Sequence, residues 1–343
     1  MIRVSISDKE AVEINSLLTE IISQYESSDD PNFLRQSSVI AHELPRRLRV
    51  ALNDFKQLEL PSGACLISSF PVDDLKIGRT PSHWKLRSEH TQTIKEEMLF
   101  ILVGSLLGDF IGWATQQNGY IIHDVLPIRE DENSQISTGS QQTIWWHNED
   151  AFHPYRGDYV GLMCLRNPDN IPTTMACIDM LELHPDIVKI LFEYRFVIRP
   201  DESHNQKNGS DASACPGRCD TSLKSAYQNI ERMQNNPKKQ PVLFGDPQSP
   251  YLRLDPYFMD PLEDDEAQFA LNALIREIDK KLTDVVLRPG DILFLDNYRA
   301  VHGRKPFKAR YDGTDRWLKR GNITRDLRKS RDARSNCASR IIY

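Results

Sequence analysis

Trp145-Trp146-His147-Asn148-Glu149-Asp150 and Asp296-Asn297-Tyr298-Arg299-Ala300-Val301-His302-Gly303-Arg304 are each entered from an apolar run that reads as a strand and opens into turn residues. On extended backbone, residues i and i+2 point to the same side, so His147 and Glu149 project together. His302 comes from a separate strand 155 residues after His147. Working outward, further short apolar or β-branched runs lie at 64–70, 120–126, 159–165, 173–178, 241–244, 251–254, 284–287 and 291–295. These are enough strands for a sandwich or barrel. Helical patterns at 185–194 and 266–282 interrupt them without strict alternation, which argues against a doubly wound parallel sheet.

The first third reads as helical. Ser7 with Glu10 forms a capping box ahead of Ile14, Leu17, Leu18, Ile21 and Ile22, which recur at helical spacing. A second helix starts near Pro31 and is broken by Pro45, and a buried third spans about 91–115. The reading is a mainly β protein with flanking helices, a double-stranded β-helix or jelly-roll core in a single domain. Residues 1–118 form a mainly helical support, 119–325 the core with a polar insertion at about 200–240 that reads as a lid or a surface insertion, and 326–343 a basic tail, solvated or one face of a helix.

Composition narrows the function. The chain has 343 residues, 39% hydrophobic and 27% charged, which excludes a disordered polymer, a collagen or a coiled coil. With 43 Lys+Arg against 49 Asp+Glu, the net charge of −6 argues against nucleic acid as the main partner. The longest apolar stretch, 98–108, is about half the ~20 residues of a membrane span. Six irregularly spaced cysteines and a start without a signal peptide's apolar core point to the cytoplasm.

Two imidazoles and a carboxylate on one face of an octahedron suit mononuclear non-haem Fe(II), leaving positions open for a cosubstrate and dioxygen. Arg316 and Arg320 follow His302 at fourteen and eighteen residues. A guanidinium fork pairs bidentately with a carboxylate, as the far end of the dicarboxylate 2-oxoglutarate requires. Taken singly, each residue has a plainer reading. His147 and Glu149 could be a strand-edge pair, and the arginines could pair at the surface with Asp312 or Asp315. His153 reads as a loop histidine bonded to backbone; Cys215 and Cys219 near His204 read as free thiols, lacking a fourth zinc ligand.

The sequence resembles the clavaminate synthase-like branch of the Fe(II)/2-oxoglutarate oxygenases, in particular its free amino-acid hydroxylases. The resemblance covers about Trp113 to Arg320 and rests on the block from His147 to Tyr159, on Gly161–Asn167, on Arg288–Asn297, and on His302 with the two arginines. It implies that His147, Glu149 and His302 hold the iron and that Arg316, with the Thr174 hydroxyl, holds 2-oxoglutarate. Gln116, Ser137 and Arg320 would grip the amino acid, and Asp255, with Tyr257 two residues later, would meet its side chain.

The activity so implied is hydroxylation of C3 or C4 of a free basic L-amino acid (lysine, arginine or a close analogue) in a specialised-metabolite (antibiotic) pathway. It is coupled to conversion of 2-oxoglutarate and O2 into succinate and CO2. Glu149 favours hydroxylation over halogenation, because halide would need its coordination position. The alternatives are a neutral polar substrate such as citrulline or asparagine, a desaturase or cyclase with the same iron site, and a jelly-roll binding protein without turnover.

Overall fold

The computed structural model describes residues 1–87, 91–206 and 220–343. Strands β1 (Ile2–Ser5), β2 (Ala64–Ser68), β3 (Asp109–Trp113) and β4 (His123–Val125) precede β5 (Ile144–His147), β6 (Tyr159–Arg166) and β7 (Thr173–Cys177). A hairpin, β8 (Leu243–Asp246) and β9 (Ser249–Leu252), separates these from β10 (Thr283–Val285), β11 (Ile292–Asp296), β12 (Ala300–Arg304), β13 (Trp317–Thr324) and β14 (Ile341–Ile342). The large sheet runs β1-β2-β11-β6-β13-β3-β14, with β4 also on β13; the small sheet runs β10-β7-β12-β5. Pairing is antiparallel except for β1 on β2 and β14 on β3.

The sheets face each other across Leu66, Val125, Leu162, Met175, Val285, Leu293 and Leu318, the inward-facing alternate positions of their strands. Helices α1 (Asp8–Gln24), α2 (Pro31–Ile40) and α3 (Arg46–Leu58) come first, followed by the short α4 (Asp74–Ile77) and α5 (Ile94–Ser105). Of these, α1, α2, α3 and α5 cover the outer face of the large sheet. The small sheet is backed by α6 (Pro185–Leu191) and α8 (Asp265–Lys281), while α7 is Asp220–Asn235. The capping box at Ser7 and Glu10 starts α1 as its spacing predicts.

Three expectations are corrected. The third helix does not run to 115: α5 stops at Ser105, and β3 begins at Asp109. Between them, Gly108 lies so close to β13 that a Cβ there would sit 2.2 Å from the Thr324 carbonyl oxygen. Residues 1–118 are not only a helical support, because they contribute β1, β2 and β3 to the large sheet. The stretch 326–343 is not simply a solvated tail: Leu327–Ala333 is a 3-10 helix, in line with the helix-face reading, and the residues after it are tied down. Ile341 and Ile342 pair with β3, the buried Arg334 donates to the carbonyls of Leu327 (2.8 Å) and Ser339 (2.6 Å), and Arg340 pairs with Asp109 at 2.5 Å. Apolar residues at the chain end have a sheet edge to cover, which outweighs the polar composition before them. Of the 200–240 insertion, 220–235 is helical, and Cys215 and Cys219 lie outside the described residues. Among the described residues no helix is long and apolar enough to cross a membrane.

Candidate active site

β12 lies between β7 and β5, and His302 stands directly opposite His147 in the antiparallel register. Opposed residues project to one face of a sheet, so two histidines far apart in sequence meet here. Their ring centroids are 4.8 Å apart. The chain then leaves β5, and Asp150 takes a left-handed turn (φ 50°) that brings Glu149 between them. Glu149 Oε2 is 3.4 Å from His302 Nε2 and 3.8 Å from His147 Nε2. Nδ1 of His147 donates to the Trp145 carbonyl at 2.8 Å, which turns Nε2 toward Glu149.

A pair of asparagines holds this turn. Asn148 donates to the carbonyls of Asn297 and Ala300 and accepts from Leu254 N–H, while Asn297 accepts from Glu149 N–H and donates to the carbonyls of Glu149 and Gly157. Arg156, fully buried, donates to the carbonyls of Asn297 and Leu252, each at 3.0 Å. The Glu149-bearing loop is thus laced to the start of β12 without using any of the metal-facing atoms.

The donor set fits a metal ion. Glu149 Oε2 is buried with no hydrogen-bond partner among the described residues, and Nε2 of both histidines faces it. Oε1 of Glu149 is held by Arg320 at 2.5 Å. Burial opposes ionisation of Glu149, but Arg320 and the two histidines outweigh it and hold the carboxyl well below its usual range. Burial pulls His302 down; for His147 the neighbouring carboxylates of Glu149 and Asp255 overcome burial and carry it up to about 9.

Arg316 and Arg304 form a second feature of the cavity. Both line it and both are buried. Arg304 donates to the Ser140 and Gln142 carbonyls, but no carboxylate pairs with it among the described residues, and Arg316 has no hydrogen-bond partner among them. Burial, with the neighbouring Arg316 adding to it, lowers Arg304 to about 9, and burial lowers Arg316 to about 10. Two buried guanidinium groups with no carboxylate paired to either among the described residues are costly unless an anion enters. A dicarboxylate fits that end.

Of the remaining sequence candidates, Ser137, Asp255 and Arg320 line the same cavity. Gln116 lines an adjoining polar cavity that shares Ile136, Ser137, Ser203 and Arg320 with it. Thr174 is corrected to Thr173. In β7 alternate side chains face opposite ways, and it is Thr173, paired with Arg304, that lines the cavity. Arg316 and Arg320 are not surface partners of Asp312 or Asp315, since both guanidinium groups face inward. His153 accepts from Tyr155 N–H and packs edge-on against Trp113.

Sequence reading missed Asp201, which lines the cavity with Asp255. It also missed what His204 does: buried, it contacts Asp150 (3.1 Å) and Thr115 (2.7 Å). Trp113 Nε1 and Asn322 donate to the other oxygen of Asp150. Asp150, Asp201 and His204 sit close enough to form a second acidic cluster. The signal available was only Asp-Glu-Ser-His at 201–204 in a polar stretch, and nothing local says that it folds inward.

Residues 187–322, which include His302, Arg316 and Arg320, match the taurine catabolism dioxygenase TauD, TfdA family. An enduracididine beta-hydroxylase of Streptomyces hygroscopicus is 44% identical, with all of both chains covered. The chain belongs to this family of dioxygenases. An L-ornithine/L-arginine 3-hydroxylase of Catenulispora acidiphila is 43% identical, again over all of both chains. The crystal structure of the non-heme iron oxygenase OrfP with Fe, succinate and (3S)-hydroxy-L-Arg is 42% identical and superposes with a TM-score of 0.93 over all of both chains. OrfP has also been solved with Fe and alpha-ketoglutaric acid. The present dioxygenase is an Fe(II)- and 2-oxoglutarate-dependent enzyme that uses O2, built on the jelly-roll core.

Proposed function

We propose that the protein hydroxylates C3 or C4 of a free basic L-amino acid, with arginine, lysine or a close analogue as substrate. The observation that carries this reading is the pair of carboxylates, Asp201 and Asp255, on a cavity whose third aspartate, Asp150, is already held by Trp113, Asn322 and His204. Burial, reinforced by the neighbouring Asp201, pushes Asp255 up to about 7 against the pull of His147. A cationic side chain entering between the two acids would relieve that repulsion.

His147, Glu149 and His302 would hold the iron, and Arg316, with Thr173 and Arg304 beside it, the far carboxylate of 2-oxoglutarate. With iron bound, the cosubstrate and O2 supply the oxidising power for cleaving an unactivated C–H bond. The protein's own part is orientation. Arg320 and Ser137 meet the α-carboxylate and Gln116 the α-ammonium, so the tail lies toward Asp201 and Asp255 with its middle carbons beside the metal cluster. Trp145, 46% exposed on the cavity wall, shields the opening. That homologues act on arginine, ornithine and enduracididine supports this tail chemistry.

The test is an iron-reconstituted sample offered a panel of the twenty amino acids plus ornithine, citrulline and homoarginine, with products read by mass. A gain of 16 on basic substrates alone is expected, while a loss of 2 would mean desaturation. Asp255→Asn should lower kcat/KM for cationic substrates by about 10- to 100-fold, the size of a charge-assisted hydrogen bond. Equal losses on citrulline would remove Asp255 from tail recognition.

A further inference from the structure

The Ser203 hydroxyl touches both Gln116 and Asp201. It lies in the short turn Glu202–His204 and lines both the main cavity and the polar cavity beside it. Its Oγ donates to Asp201 Oδ1, and the same carboxylate oxygen accepts from Ser203 N–H at 2.8 Å. With its proton so committed, Oγ is left as an acceptor and takes a hydrogen bond from Gln116 Nε2 at 2.5 Å.

A glutamine amide can turn half a revolution at little steric cost, exchanging donor for acceptor. Here two neighbours remove that freedom: Nε2 faces Ser203 Oγ and lies 3.0 Å from His204 Nε2, so Oε1 is turned away from both. Gln116 is 2% exposed, and its Oε1 has no hydrogen-bond partner among the described residues. Thr115 and Asp150 hold His204, the next residue, at 2.7 and 3.1 Å, so the turn carrying Ser203 is fixed to the loop that carries Glu149. The Ser203 hydroxyl, with His204 beside it, thus orients the Gln116 acceptor and at the same time holds the Asp201 carboxylate.

We propose that Ser203 is a positioning residue that couples recognition of the two positive ends of the substrate, the α-ammonium at Gln116 and the side-chain cation at Asp201. This rests on the substrate reading given above. An incoming amino acid with both charges meets a preset acceptor and a preset carboxylate, whereas a molecule with one charge uses half of the relay. Ser203 touches neither the iron ligands nor the cosubstrate end, so its effect belongs to KM and to the coupling of succinate release to product, not to 2-oxoglutarate binding.

The test compares Ser203→Ala, Ser203→Thr, Gln116→Ala and the double variant Ser203→Ala/Gln116→Ala on arginine and on its deamino analogue 5-guanidinopentanoate. In wild type, arginine should outperform the deamino analogue; equal kcat/KM for the two would sink the Gln116 reading itself. Ser203→Ala should raise KM for arginine about tenfold, the size of one hydrogen bond, and increase the succinate formed per hydroxylated product. It should change KM for the deamino analogue by less than about threefold, and Ser203→Thr should restore the wild-type values. In the Gln116→Ala background the Ser203→Ala penalty on arginine should disappear. A penalty of the same size on both compounds, or one that persists without Gln116, would overturn the coupling and leave Ser203 a purely structural hydroxyl. The KM for 2-oxoglutarate, expected to stay at the wild-type value in Ser203→Ala, separates this from a general loss of folding.

Discussion

Arg316 shows how a single side chain can work against folding for the sake of binding. Its guanidinium is buried with no hydrogen bond among the described residues, and Arg304 adds a second positive charge nearby. Replacing such a charge with an apolar group of similar volume often stabilises a protein by ~1–4 kcal/mol. Arg316→Met should therefore raise the Tm of the metal-free protein while abolishing the further rise that 2-oxoglutarate gives the wild type, both read by calorimetry. A lower Tm would mean that the charge is already compensated. Asn297 has the opposite character, with its side chain making hydrogen bonds to Glu149 and Gly157. Asn297→Ala leaves three buried backbone contacts unmade, at ~1–3 kcal/mol each, and should lower both the urea midpoint and the affinity for Fe(II) measured by competition with a chelator. At this scale His147 and Glu149 were legible as an imidazole and a carboxylate two residues apart at a strand end, although Glu149 reaches the cluster from the turn beyond β5 and His302 by its register opposite His147. Asp201 and Ser203 were not, since their approach depends on a turn docking through His204. Thr173 was confused with Thr174 because sequence alone does not say which face of β7 looks inward.

At the level of elements, β13 divides its side chains between two tasks. Leu318 and Arg320 face the cavity, whereas Lys319 faces α5 and is buried against Glu97 (2.9 Å) and Asp124 (2.6 Å). Arg87 completes the cluster at 2.6 Å from Glu97 and 3.3 Å from Asp29. Burial works to raise the Glu97 carboxyl, but Arg87 and Lys319 prevail and lower it to about 2 from an ordinary 4.5. A carboxyl whose folded pKa is depressed stabilises the fold above its unfolded pKa, and that contribution disappears as pH falls through the folded value. Stability should therefore decline between about pH 4.5 and 2 as Glu97 takes up its proton. Urea unfolding of Glu97→Gln should show a shallower acid limb and a loss at pH 7 of ~3–5 kcal/mol, the cost of breaking a buried ion pair. An unchanged acid limb would assign the transition to other carboxyls. α1 was readable from Ser7 and Glu10, whereas the end of α5 was not, because Gly108 is required there by the backbone of Thr324, far along the chain.

For the molecule as a whole, residues 326–343 close the structure around the loop from Glu149 to Asp158. Tyr155 donates to Asp332 at 2.8 Å, Lys329 pairs with Asp158 at 2.7 Å, and β14 covers the edge of β3. Removing residues 326–343 should lower Tm, expose β3 to self-association detectable by light scattering, and weaken Fe(II) retention, because the loop from Glu149 to Asp158 loses its outer brace. Retention at the wild-type level would show that the asparagine lacing suffices. A composition of Arg, Ser and Asp could not announce this role, since the apolar pair Ile341 and Ile342 is too short to read as a strand alone.

The direct pairing of His302 with His147 across β12 and β5 has one more consequence. If β12 zipped one residue out of step, its histidine would swing to the far side of the sheet, and no trio of donors could assemble. Loading with ferrous ion therefore doubles as proofreading of the strand alignment: the fraction of a preparation that takes up the ion counts the molecules whose two halves have closed in the native frame.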